Sequence, residues 1–491
     1  MRFCKESIVN SRWRSGYRLL NIDLLKNRSL IFALVLAQLF TSCATYYQAN
    51  YEFNKEFESG DLNKALQTLK NKNHATGKDR FLYFVNRGLV LSMLGRYQES
   101  NEFLENAYLF WEDFKVDYFS EGASYLINPT ITVYRGEDHE HLMLLYYKAM
   151  NYLKMDRTEE ALVECRRLNI RLQQLSDRYN SDNYYRQDAF IQNLMGIIYD
   201  SDKDYNNAFI AYKNAYNIYQ NEYEKMFQLK APQQLKMDIL RTAFLSGFES
   251  EFQSYKLEFS FPDYQYTPNS GGELIFFWHN GLSPYKAEWS IQFVIDHGNS
   301  QNIIFNNPQL GLSFSFSRSN YSQSELINLS RMEFFHVAFP KYIERYLYYQ
   351  EGSLEANENE YKLEIAEDIN KIGFKVLEER MGFELTKALV RFAIKKSSEY
   401  ALKKEDKNWG ALLNVLNTIT EKADTRNWQT LPHSIYYSRV PLPEGQTTLT
   451  LRLRGNSNQQ DERTFTYTVK KGQTLYHTFS SLETTFSNYR Y

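Results

Sequence analysis

Small and bulky residues recur at helical spacing through the first half of the chain, and the recurrence reads as a repeat. In residues 84–107, Gly88 holds a small position in a first helix and Leu91 a large one a turn later. Gly95 marks a turn, Tyr97 opens a second helix, and Ser100, Leu104 and Ala107 form a small–bulky–small set. Residues 145–168 repeat the scheme with Ala149, Tyr152, Ala161 and Cys165. Residues 192–215 repeat it again with Gly196, Tyr199, Tyr205, Ala208, Tyr212 and Ala215. A degenerate copy comes earlier, with Phe53, Gly60, Ala65 and Leu69. Small residues let helices approach closely, and large ones fill the space between pairs. The pattern predicts stacked helical hairpins with a period near ~34 residues, interrupted by insertions; the alternative is an ordinary helical bundle. Residues 221–258 continue helical.

Near Leu257 the period switches to two. Strands are predicted over 257–266, 272–281, 287–298 and 310–319. Residues 333–350 fit strand or helix, and 358–405 return to helical spacing. Ile365, Ile369, Ile372, Val376 and Leu377 make one stripe, and Leu385, Leu389, Phe392 and Ala393 another. Lys395, Lys396, Lys403 and Lys404 sit late in that helix, and helical spacing resumes from Asn408. Strands follow at 434–440 and 447–454, then a strand pair about the turn Lys470-Lys471-Gly472. The expected fold is α+β: an N-terminal α-solenoid, then a β-sandwich-like domain with an inserted helical segment. Two separate small β-domains are the alternative. The expected boundaries are 1–42 leader, 43–256 helical repeats, 257–350 first part of the β-domain, 351–423 inserted helices and 424–491 second part.

The leader changes the picture most. Residues 1–29 carry seven basic residues against Glu6 and Asp23, and the apolar run Leu30 to Phe40 follows. Eleven residues are too few to span a bilayer but suit a signal-peptide core. The run ends Phe40-Thr41-Ser42-Cys43, which resembles a bacterial lipobox. In such signals the Cys is acylated and becomes the first residue, so Cys43 is the expected lipid anchor. A short amphipathic anchor with an incidental Cys43 is the alternative. Ala44 resembles an outer-membrane address, and no acidic run follows it, so the periplasmic leaflet of the outer membrane is expected. Cys165 then has no partner, and its place in the repeat predicts burial.

Composition adds little. The chain has 491 residues, 43% hydrophobic and 16% aromatic, enough for a sizeable core. A net charge of −2 gives no basic excess for nucleic acid. Asp138-His139-Glu140-His141 invites a metal reading, but residues two apart do not share a helix face. Asp138 reads instead as the N-cap of a helix starting near His139. No catalytic residue, cofactor or metal site is expected.

Three stretches carry a family resemblance: Tyr134 to Asp138 with Asn151 to Leu153 and Ala161 to Arg167; Gly272 to Leu274 with Asn280 to Glu288; and Asp424 to Pro432. They resemble a family of bacterial tetratricopeptide-repeat (TPR) lipoproteins, often encoded near lipoproteins resembling activators of penicillin-binding proteins. The resemblance implies a non-enzymatic protein of the cell envelope. Read from the residues, Asn280-Gly281 is a turn, and an Asp424–Arg426 pair could pin the inserted helices to the sandwich. The favoured function is an anchored adaptor holding a protein partner in the TPR groove, with Arg87 and Asn151 projecting into it. The insertion at 111–141 either packs back or edges that groove through Trp111, Phe114, Tyr118, Phe119, Tyr125 and Tyr134. A cell-wall glycan module stacking sugars on Trp278, Trp289 and Trp428 is the alternative, and an envelope hydrolase a further one.

Overall fold

The computed structural model describes residues 45–72, 74–114, 132–179, 187–296, 301–320, 334–382, 423–456 and 459–486, with a few single positions between them. Cys43, the loop residues Tyr118, Phe119 and Tyr125, and the segment with Phe392, Ala393 and the four late lysines lie outside the described residues.

Among the described residues a helical turn at Tyr46–Ala49 is followed by five helical hairpins. They are α1 (Tyr51–Glu58) with α2 (Leu62–Lys72), α3 (Arg80–Met93) with α4 (Tyr97–Phe114), and α5 (Asp138–Lys154) with α6 (Thr158–Tyr179). Then come α7 (Ala189–Ser201) with α8 (Tyr205–Ile218), and α9 (Gln233–Leu245) with α10 (Glu249–Glu258). Every first helix ends the same way. Gly60, Gly95, Asp156, Lys203 and Gly247 each take positive φ. The next residue's N–H bonds back to a carbonyl five positions earlier at 2.9 Å: Asp61 to Glu56, Arg96 to Leu91, Arg157 to Tyr152, Asp204 to Tyr199 and Phe248 to Ala243. This left-handed cap satisfies the last carbonyls and reverses the chain at a fixed angle.

Within a hairpin the small and large positions complement each other. A Cβ on Gly88 would lie 2.6 Å from the Leu104 side chain, and one on Gly196 2.3 Å from the Tyr212 ring. The third hairpin uses a small pair, Ala149 and Cys165, both buried. Ala107, Ala161, Ala208, Tyr212 and Ala215 are also fully buried.

Among the described residues the strands form three four-stranded sheets and one short pair. The first sheet has the order β13–β1–β10–β9, from β1 (Gly272–Asn280), β9 (Glu364–Asp368), β10 (Ser434–Leu442) and β13 (Thr474–Ser481). The second is β12–β11–β7–β8, from β7 (Tyr349–Ala356), β8 (Asn359–Lys362), β11 (Gly445–Gly455) and β12 (Gln460–Val469). The third is β4–β3–β2–β5, from β2 (Tyr285–Asp296), β3 (Asn302–Asn307), β4 (Leu312–Ser317) and β5 (Phe334–Ile343). β6 (Arg345–Leu347) pairs with β14 (Thr484–Phe486). Strands from before and after the insertion interleave: β1 lies between β10 and β13, and β7 pairs with β11.

Alternation decides the layering. Leu274, Phe276 and Trp278 of β1 share a core with Leu354, Leu449, Leu451 and Leu453 of the second sheet. Ile275 and Phe277 point the other way and join the helical core. β1 is therefore buried on both faces, which explains its unbroken apolar run.

Several expected elements differ. Residues 257–266 hold no strand: α10 runs to Glu258, Ser260 caps it at φ +62°, and Pro262 follows. The region 333–350 is β5, β6 and the start of β7. Strands continue to Asp368, so Ile365 belongs to β9 and helix α11 starts only at 369. The inserted helical segment thus starts later than residue 351. Finally, the Lys470–Gly472 turn joins no hairpin. β12 pairs with β11 and β13 with β1, so the turn carries the chain from one sheet to the other.

Candidate functional site

In stacked hairpins the first helices line the inner face. Here α1, α3, α5, α7 and α9 line it, and the first sheet with the segment 423–433 fills it. Gln429 donates to Asn54 of α1 at 3.0 Å, and Thr430 to Asn86 of α3 at 2.7 Å. The Trp428 N–H donates to Glu140 of α5 at 2.6 Å, and Tyr146 bonds His279 of β1 at 2.8 Å. Phe190 of α7 meets Phe277 edge-on, and Trp428 lies beside Tyr147 with no exposed surface.

This overturns the expectation that Asn151 and Arg87 project into an open groove. Every residue of α5 from Asp138 to Asn151 is buried. Asn151 accepts from Ser92 and donates to Ser100 and Asn101. Arg87 lies over the Phe103 ring and bonds Tyr83. A partner at the inner face would first have to displace the chain's own strands.

The 138–141 cluster is also structural. The helix begins one residue earlier than expected, with Glu137 as N-cap in a reciprocal box with Glu140. His139 faces α11 near Gly373, whereas His141 packs against Phe81 and Trp111. Among the described residues no group of three or more potential ligands could hold a metal. Burial lowers His139 to about 4. Burial works to raise the Glu137 carboxyl, but Arg380 and Lys286 outweigh it and hold Glu137 well below the usual range. Burial, reinforced by Glu137, pushes Glu140 up to about 7.

Arg426 donates to Asp424, to Asp79 at 3.1 Å and to the Thr132 carbonyl at 2.9 Å. The Asp424–Arg426 pair therefore ties the segment to the repeats. The two described ends of the 111–141 insertion pack back: Trp111 lies under Arg171, and Tyr134 donates to Glu140 at 2.9 Å. Trp278 and Trp428 are wholly buried and Trp289 is half-buried against the third sheet's core, so these rings form no exposed sugar platform. Burial pushes the Cys165 thiol up, which leaves it inert. No helix among the described residues is long and apolar enough to cross a membrane.

Where the inner face ends, α7 and α9 meet β1, β10 and the β12–β13 turn around a cleft of about 320 Å³. Six charged residues line it: Asp200, Lys203, Asp238, Arg241, Glu273 and Arg439. Arg241 donates to Asp200 at 2.9 Å and to Asp238 at 3.2 Å. Arg439 contacts Asp200 at 2.8 Å, Asp238 at 2.9 Å and Glu273 at 2.5 Å. Tyr212 adds its hydroxyl to Asp200 at 3.0 Å. Burial opposes the Asp200 charge, yet Arg439 and Arg241 keep its carboxyl below the ordinary range. At Asp238 burial prevails and raises it. Sequence reading missed this cluster because its members are scattered from Asp200 to Arg439. The one signal was Arg439, a charge inside an otherwise apolar strand.

No family model matches the chain, and no curated protein matches it in sequence. Solved structures resemble its helical part. BtubC from P. vanneervenii is 15% identical, covering 43% of this chain and 79% of its own, with a TM-score of 0.29. MamA from Desulfovibrio magneticus RS-1 is 16% identical over 43% of this chain and 89% of its own, with a TM-score of 0.27. A tetratricopeptide repeat protein from Parabacteroides merdae is 15% identical over 45% of this chain and 81% of its own, with a TM-score of 0.20.

Proposed function

We propose that this protein is a lipid-anchored scaffold on the periplasmic face of the bacterial outer membrane, serving envelope assembly or maintenance by binding a protein partner. It is not an enzyme in this reading. The observation that carries it is the docking of the chain's own strands on the inner face. That contact joins the two halves through a shared core, and in this reading partner binding falls to the outer surface.

The outer helices suit that role. Leu109 of α4 and Val163 and Ile170 of α6 are exposed at 49%, 42% and 57%. Between these helices a groove of about 140 Å³ is lined by Tyr108, Trp111, Arg167 and Arg171. Aromatic and arginine side chains beside aliphatic ones are the composition of interface hot spots.

Site-specific photo-crosslinking in intact envelopes tests the reading. A crosslinker at Ile170 should capture one defined protein, and one at Leu257, exposed at 76% on α10, should not. Identical products from both positions, or none from Ile170, would overturn it.

A further inference from the structure

Almost no chain lies between the expected lipid anchor and the folded body. Given the anchor proposed above, on which this reading rests, we infer that the body sits directly on the bilayer, with the exposed face of α1 that carries Tyr51 and Lys55 against the lipid headgroups.

The chain's reach is short. Only Ala44 separates Cys43 from Thr45. Two residues span at most ~7 Å, however extended. One headgroup layer is roughly 5–8 Å thick, from the difference between the whole bilayer and its hydrocarbon core. An acyl group on Cys43 therefore leaves Thr45 no length with which to stand clear of the headgroups.

A turn loosely joined to the body would itself act as a tether, but residues 45–50 are built into the fold. Thr45 is buried and closes a reciprocal box with Gln48, its N–H donating to Oε1 at 2.9 Å. The Tyr46 N–H donates to Thr425 Oγ1 at 3.0 Å, in the segment 423–433. The Tyr47 ring stacks on Tyr285 of β2 at 4.7 Å, and its hydroxyl donates to Glu58 of α1 at 3.1 Å. Glu58 in turn pairs with the buried Arg345 at 2.9 Å. Asn54 of α1 donates to the Tyr47 carbonyl at 3.0 Å. Both halves of the molecule thus hold this turn, and freeing it would break all of these contacts together.

The start of α1 shows which surface meets the lipid. Tyr51 follows Thr45 by six residues, roughly 9 Å at the helical rise. Tyr51 and Lys55, one turn apart, are exposed, while Phe53, Asn54 and Phe57 on the other side are buried. Tyr51 is 58% exposed, and a ring with a polar tip suits the membrane–water boundary. Glu52, also exposed, offsets Lys55, so the anchor and the ring set this contact and lipid charge does not.

The acylated full-length chain can be placed in vesicles of phosphatidylethanolamine and phosphatidylglycerol that contain a headgroup-spin-labelled lipid. Single bimane labels go on Tyr51→Cys and on Leu257→Cys, both at exposed positions and four hairpins apart. Cys4 leaves with the leader, Cys43 is acylated in this reading and Cys165 is buried, so each label stays single. The label at 51 should lose most of its fluorescence to the lipid, and the label at 257 little. A flexible linker of about twelve residues between Ala44 and Thr45 adds roughly 20 Å of reach, and should cut the quenching at 51 about twofold or more with membrane retention unchanged. Equal quenching at the two positions, or quenching at 51 that the linker leaves untouched, overturns the inference while the anchor reading stands. Protection of the label at 51 from aqueous iodide without quenching by the lipid would put a protein on this face, and overturns it too. A chain that does not partition into the vesicles at all overturns both readings.

Discussion

Glu140 joins the two halves at a wholly buried point. One carboxylate oxygen accepts from the Trp428 N–H, and the other from Tyr134 and the Glu137 N–H. Burial and the neighbouring Glu137 raise its titration to about 7, above the ordinary value of 4.5. Folding therefore takes up a proton between those two values, and stability should fall as pH rises from about 5 to about 7. Glu137 has the opposite sign: held low by Arg380 and Lys286, it adds stability that is lost only when pH falls below the ordinary carboxylate range. Urea titrations from pH 5 to 8 should show a declining stability in the wild type and a flatter line in Glu140→Gln. A wild-type line that rises through this window would sink the assignment. Gly196 makes a second residue-scale case. The Tyr212 ring that a new Cβ would strike cannot swing aside, because its hydroxyl is bound to Asp200 and Arg439. Gly196→Ala should cost ~1–3 kcal/mol in chemical denaturation; an unchanged midpoint would show that α7 and α8 move apart freely.

At the scale of elements, the hairpin caps are one motif written in different residues. Three hairpins use glycine at the left-handed position, but two use Asp156 and Lys203. A side chain there strains the backbone, so Lys203→Gly should stabilise the chain by about 0.5–1 kcal/mol, after allowing for the added freedom of the unfolded state. A melting temperature lowered by this change would mean that Lys203 makes a contact worth more than the strain. The Gly60 and Gly95 caps, with the Gly88–Leu104 and Gly196–Tyr212 pairs, were legible in the sequence because each lies within one hairpin. Their partners are about a dozen to sixteen residues apart, and spacing alone encodes them. Some strands with one open face were legible, as β11, whose burial alternates along its length, whereas the short alternating β3 was missed. What spacing could not say was which strand lies beside which. The Lys470–Gly472 turn looks like a hairpin turn, yet the strands it joins have their partners in different sheets. LEFSF at 257–261 alternates like a strand but is the last turn of α10 and its cap. The charged cleft was illegible for the same reason: nothing local to Asp200 points to Arg439.

For the whole molecule, the shared core predicts one unfolding unit. Ile275, Phe277, Trp428, Leu431 and Tyr437 from the β-half sit in the same cluster as the helices. Helix loss by far-ultraviolet dichroism and near-ultraviolet signal should melt together, and Trp428→Ala should lower both by the same ~3–5 kcal/mol. Two separated transitions would show that the strands are merely laid on the array. Anchoring is checked independently of the fold: Cys43→Ser should abolish partitioning into the detergent phase, and full membrane retention of that variant would remove the lipoprotein reading.

The filled inner face also sets a timetable. Tyr147 and its helix leave the ribosome some 281 residues before Trp428, the side chain that packs on it. At roughly 5–20 residues per second, that surface waits on the order of tens of seconds for its cover. The first sheet waits longer still, because β13 is made last and lies parallel against β1. During that interval the nascent chain presents Tyr147, Phe190 and the rest of a future interior to whatever is near. A cell making this protein therefore needs either a holding chaperone along its route or a means of destroying chains that stop before residue 423.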